Sequence, residues 1–156
     1  MGERARILVV DDDETIREVM STILKEKGYI VDTAETGKEA IEKSNTNFYN
    51  LALIDMRLPD MEGTKLLTTL RETTPKMVKI IVTGYPSLQN AMEAVNKNAD
   101  AYILKPVNME KVLATIKEHL EKQQQAKKYS EEKIAEFIEM RANQLEEQKT
   151  IRQKSN

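Results

Sequence analysis

The sequence contains no cysteine and no tryptophan, and its 156 residues include only two phenylalanines, one histidine, five glycines and four prolines. Without cysteine there is no disulfide, thiol nucleophile, iron–sulfur cluster or thiolate zinc site, and the lone His119 cannot build a multi-histidine metal centre. Any metal must therefore be held by oxygen. No apolar run approaches the length of a membrane span, and Met1-Gly2-Glu3-Arg4-Ala5-Arg6 leads into a short apolar run without a signal-peptide pattern. A cytoplasmic chain with no membrane contact is the expectation. An excess of one charge sign is missing too: 24 basic against 26 acidic residues leave a net charge of −2. That balance gives no whole-chain footprint for nucleic acid, so no direct nucleic-acid binding is expected.

What the chain does contain is a set of short apolar runs. Ile7-Leu8-Val9-Val10, Leu51-Ala52-Leu53-Ile54, Ile80-Ile81-Val82 and Ala101-Tyr102-Ile103-Leu104 are each too short for a helix and each stopped by a polar or turn residue. They read as strands buried on both faces. A weaker fifth, Tyr29 to Ala34, follows Gly28, a fitting helix-terminating residue after the amphipathic set Ile16, Val19, Met20, Ile23 and Leu24. Further helical patterns cover Lys38–Lys43, Leu66–Leu70 after Gly63, Leu88–Val95 after Pro86-Ser87, and Val112, Leu113, Ile116 and Leu120 after Pro106. Met20, Met92 and Met109 fall at helical core spacing. Five strands alternating with five helices predict an α/β fold with a parallel sheet covered on both faces, because each parallel return needs about a dozen residues.

The composition changes after Lys122. Residues 123–128 are polar without an apolar stripe, and Ser130 followed by Glu131 and Glu132 reads as the capped start of a second helical segment. The expected division is a domain over 1–122, then a polar linker and C-terminal amphipathic helix over 123–156. This tail carries seven basic and six acidic side chains, which leaves −3 on the body. Ile134, Phe137, Ile138 and Leu145 form a thin apolar seam, interrupted by Arg141 and Gln148, so sustained heptads are not established.

The residues that could do chemistry follow the strands: Asp11-Asp12-Asp13 the first, Asp55 the third, Thr83-Gly84 the fourth and Lys105-Pro106 the fifth. Open parallel sheets bind ligands at the carboxyl ends of their strands, so these groups should converge. Clustered carboxylates repel and rise in pKa unless a cation neutralises them, and an oxygen-only site with room for water suits Mg²⁺. A hydroxyl at Thr83 and an ammonium at Lys105 beside such a metal suit a phosphoryl group. Asp55, apart from the other acids in sequence, is the candidate acceptor, since aspartate is a known nucleophile toward phosphorus. The loop Met56-Arg57-Leu58-Pro59-Asp60 after it could turn a carbonyl back toward the metal.

The segments ILVVDDDE, LALIDMRLPDMEG, IIVTGYPS and ADAYILKPV, in that order, resemble the receiver (phosphoacceptor) domain of two-component response regulators over residues 6 to about 120. The resemblance implies a flavodoxin-like (βα)5 doubly wound sheet with strand order 2-1-3-4-5. It implies that Asp55 accepts a phosphoryl group from a sensor histidine kinase or phosphotransfer protein, and that Asp12, Asp55 and the backbone carbonyl of Arg57 bind Mg²⁺, with Asp11 acting mostly through a metal-bound water. Thr83 matches the switch hydroxyl, Lys105 the ammonium that contacts the phosphoryl group, and Tyr102 the aromatic switch. Pro106 matches a position preceded by a cis peptide bond. Asn98 stands where many relatives have glycine. Arg57 and Tyr85, two residues after the acceptor and two after the switch threonine, border in this family the path of the water that hydrolyses the acyl phosphate.

Two other readings compete with a phosphorylation-dependent switch. An aspartate-nucleophile phosphohydrolase would place a second acid two residues after the nucleophile, where this chain has Arg57. A receiver belonging to a longer transcriptional regulator is the other. The tail is too short for a winged-helix or AAA+ output domain, so the expected output is protein contact. That contact would include a homodimer through the last receiver helix face or the C-terminal helix.

Overall fold

In the computed structural model residues 3–155 are described. Five parallel strands, β1 (Arg6–Val10), β2 (Ile30–Ala34), β3 (Leu51–Asp55), β4 (Val78–Thr83) and β5 (Ala101–Leu104), alternate with α1 (Glu14–Glu26), α2 (Gly37–Thr46), α3 (Gly63–Thr69), α4 (Leu88–Asn96) and α5 (Met109–Ser155). The sheet order is β2-β1-β3-β4-β5, the flavodoxin-like order that the resemblance implies. By its contacts the chain divides into two compact units, Met1–Glu121 and Lys122–Asn156.

In the first unit, successive residues of the central strands point to opposite faces of the sheet. Ile7, Val9, Leu51 and Leu53 pack with Met20 and Leu24 of α1 and Val112 and Ile116 of α5. Leu8, Val10, Ala52 and Ile54 pack with Ala40 of α2, Leu66 and Leu67 of α3 and Ala94 of α4. Three helices start on a polar side-chain cap: Asp13 accepts from Ile16 N ahead of α1, Thr36 from Glu39 N ahead of α2, and Ser87 from Asn90 N ahead of α4. Gly28, at φ 95°, and Asn98, at φ 65°, take the left-handed conformation after α1 and α4, which glycine adopts freely and asparagine tolerates.

Three sequence expectations change. β4 begins at Val78 rather than Ile80, because Lys79, whose charge reads as a strand boundary, lies buried and donates from Nζ to Leu67 O at 2.8 Å. Met92 is not core but 56% exposed, and Leu88 and Val95 beside it are exposed as well, so α4 buries little beyond Ala94. Residues 123–128 are helical, and Ser130 lies inside α5 instead of capping a new helix. Gln, Lys and Ala are good helix formers, and that stretch holds neither Gly nor Pro to stop the helix. No helix of the described residues is long and apolar enough to cross a membrane.

Candidate functional site

Asp11 and Asp12 leave β1 just before the Asp13 cap of α1, and Asp55 is the last residue of β3, the neighbouring strand. One carboxylate oxygen of each of Asp11, Asp12 and Asp55 lies within 4.8 Å of the others. Asp11 and Asp55 are buried and Asp12 is exposed, so the cluster opens to solvent on one side. Asp11 is fixed by its own network: Oδ1 accepts from Asp13 N at 2.9 Å, and Oδ2 accepts from Lys105 Nζ at 2.9 Å across 94 residues of sequence. The same ammonium stands 3.6 Å from Asp55 Oδ1. Lys105 follows β5, and its peptide bond to Pro106 is cis, as the resemblance implies.

The electrostatics follow from this geometry. Burial, then the Asp11 carboxylate, push Asp55 up to about 6, against the opposing pull of Lys105 and a hydrogen bond from the Arg57 backbone N–H. Burial pulls Lys105 down, but Asp11 and Asp55 more than offset it and hold the ammonium above its ordinary value. Three acids served by one ammonium leave net negative charge in a partly buried, oxygen-only cluster. That donor set fits Mg²⁺.

Thr83 ends β4, one residue past the Val82 that pairs with Asp55, and its buried Oγ1 accepts from Tyr85 N at 3.0 Å. Arg57 opens the β3–α3 loop in an antiparallel bridge with Glu62, and its guanidinium stacks on the Tyr85 ring 4.2 Å from the centroid. That contact ties the β3–α3 loop to the β4–α4 loop. Tyr102 is not gathered into the cluster: it pairs with Ile81 rather than Thr83, and with Pro86, Leu88 and Ala91 it lines an open groove of about 690 Å³. Its hydroxyl is buried without a hydrogen-bond partner among the described residues. His119 is partly exposed, its ring nitrogens near Thr115 O and Asp100 O.

Two residues of this region carry roles that sequence patterning does not reveal. A Cβ on Gly63 would stand 2.1 Å from the backbone oxygen of Asp55, so only glycine lets α3 start against the end of β3. Asp60 bonds the start of α2 through both carboxylate oxygens. Their place in the run Asp55 to Gly63 is the only signal the sequence carries, since neither close approach leaves a periodic mark.

The response regulator receiver domain family matches residues 7–117. The transcriptional regulatory protein ZraR of Klebsiella oxytoca is 34% identical over 119 residues, 76% of this chain but 27% of that protein. The chain thus spans about a quarter of the length of such curated relatives. Among solved structures, a CheY-like response regulator receiver domain protein from Methanospirillum hungatei JF-1 is 48% identical, with a TM-score of 0.76 over 80% of this chain and 99% of that one. The beryllofluoride-activated NtrC4 receiver domain dimer is 38% identical, with a TM-score of 0.70 over 76% of this chain and 98% of that one.

Proposed function

The chain belongs to the response regulator receiver family of two-component systems, and on that premise we propose that it is a phosphorylation-dependent switch whose acceptor is Asp55. The observation that carries this reading is the convergence of Asp11, Asp12 and Asp55 with Lys105 at the carboxyl ends of β1, β3 and β5. A carboxylate oxygen of Asp55 attacks the phosphorus of a phosphohistidine on a sensor kinase or phosphotransfer protein. The new O–P bond forms as the N–P bond breaks, and the imidazole leaves with the electron pair. Lys105 and the Thr83 hydroxyl bind the transferred oxygens. Asp12, Asp55 and the Arg57 carbonyl would hold Mg²⁺, with Asp11 acting mostly through a bound water, and the ion would supply the positive charge that lets two anions approach.

A hydrolase reading has less support, because the position for a second acid holds Arg57, whose side chain is engaged with Tyr85. The output is protein contact, and a second copy is one partner: Tyr129, Phe137, Ile138 and Met140 of the second unit are all exposed. The test is incubation with acetyl phosphate and Mg²⁺, read by intact-protein mass. One acid-labile phosphoryl group should appear on the parent and none on Asp55→Asn, because an amide neither attacks phosphorus nor ligates as an anion. Stoichiometric label retained by Asp55→Asn would refute the assignment.

A further inference from the structure

The β3–α3 loop is a closed structure of its own. Gly63 N donates to Met56 O, Leu58 N donates to Met61 O at 3.1 Å, and Arg57 pairs with Glu62, so Pro59 and Asp60 form the tip of a miniature hairpin with Arg57 on one arm. That tip is fastened elsewhere. Asp60 Oδ1 accepts from Gly37 N and Oδ2 from Lys38 N, each at 2.9 Å and across more than twenty residues of sequence. Beside this clasp Met61 lies against buried Gly37, where a Cβ would stand 2.3 Å from its sulfur.

The clasp is not needed to begin α2. Thr36 Oγ1 already caps the helix by accepting from Glu39 N at 3.1 Å, and Glu39 Oε2 accepts from Glu35 N, the residue before the cap, at 2.9 Å. The amides of Gly37 and Lys38 point from the positive end of the helix, where a carboxylate is favoured. The two amides accordingly hold the Asp60 carboxyl below its ordinary range. Because α2 is capped without it, the mechanical consequence of the Asp60 contact falls on the loop.

We propose that Asp60 is a positioning residue for the metal site: by clasping the first two amides of α2 it fixes the tip of the β3–α3 loop and, through the Arg57–Glu62 pairing, the direction of the Arg57 carbonyl. This deepens the proposed function and rests on it, since the carbonyl matters only if the cluster holds Mg²⁺. Groups that orient a metal ligand without touching the metal shift affinity roughly tenfold or more when removed.

The full chain and its Asp60→Ala, Asp60→Asn and Thr36→Ala variants are titrated with Mg²⁺ while amide shifts near Asp55 and melting temperature are followed. Thr36→Ala removes a cap from the same helix end without touching the loop, so it reports loss of stability alone. Asp60→Ala should weaken Mg²⁺ binding roughly tenfold, Asp60→Asn, which keeps one acceptor oxygen, should fall between, and Thr36→Ala should bind like the parent despite a lowered melting temperature. Parent-like affinity in Asp60→Ala, or equal weakening in Thr36→Ala, overturns the positioning role and leaves the metal site standing. A parent that takes up no Mg²⁺ at Asp55 overturns both.

Discussion

Asp55 shows how one residue's environment sets its chemistry. Its carboxyl, 8% exposed and beside Asp11, is pushed up to about 6, whereas in an unfolded chain it titrates near 3.9. Between those two values the folded state binds the extra proton. The contribution of Asp55 to metal-free stability therefore falls as the pH rises through that window and is level above it, and the ionised group costs on the order of 2–3 kcal/mol there. Asp55→Asn should flatten this part of the profile and unfold later than the parent at pH 7.5 in a chelator, with the advantage shrinking toward pH 4. Adding Mg²⁺ should stabilise the parent and not the variant. Urea denaturation at several pH values with and without Mg²⁺ checks both signs, and an Asp55→Asn advantage that fails to grow between pH 4 and 7 would contradict the assignment of strain to Asp55.

At the scale of elements, what was legible in the sequence is what repeats along it. The runs Ile7–Val10 and Leu51–Ile54 are apolar on consecutive residues because both sheet faces are covered, so the strands and the acids that end them are legible in the sequence. Lys79 broke that signal, since a buried ammonium satisfied by one carbonyl looks in sequence like the end of a strand. Contacts between loops were illegible for a related reason: Asp60 with Gly37, and Arg57 with Tyr85, depend on which loops the fold makes neighbours. The stack of Arg57 on Tyr85 joins the two loops that leave Asp55 and Thr83, and under the proposed function these bulky side chains would border the path of the water that must line up with the scissile bond. Slow loss of the phosphoryl group is expected. Replacing the pair with Asn at 57 and Glu at 85 should speed hydrolysis about tenfold or more, about 1.4 kcal/mol of barrier. Single-turnover decay in excess Mg²⁺ gives the rate, and identical decay in parent and double variant would show that the stack stands clear of the water path.

At the scale of the molecule the two units obey different physics. Residues 6–121 bury a core on each side of the sheet, whereas in the second unit no described side chain is buried, and Tyr129, Ile134, Phe137, Ile138, Met140, Leu145 and Ile151 are exposed. Helices in water draw most of their stability from packing an apolar face, and in this segment Ile134, Phe137, Ile138 and Leu145 share one exposed face. Its charges nearly cancel, so self-association meets little net repulsion. A second copy is therefore the partner we expect there. Deletion of residues 124–156 removes that face and leaves Asp11, Asp12, Asp55, Thr83 and Lys105 in place. The shortened chain should take up phosphate from acetyl phosphate as the full chain does, while its mass by light scattering falls to that of a monomer under conditions where the full chain is dimeric. If both forms scatter as the same oligomer with and without beryllofluoride, the helix pairs with something other than itself.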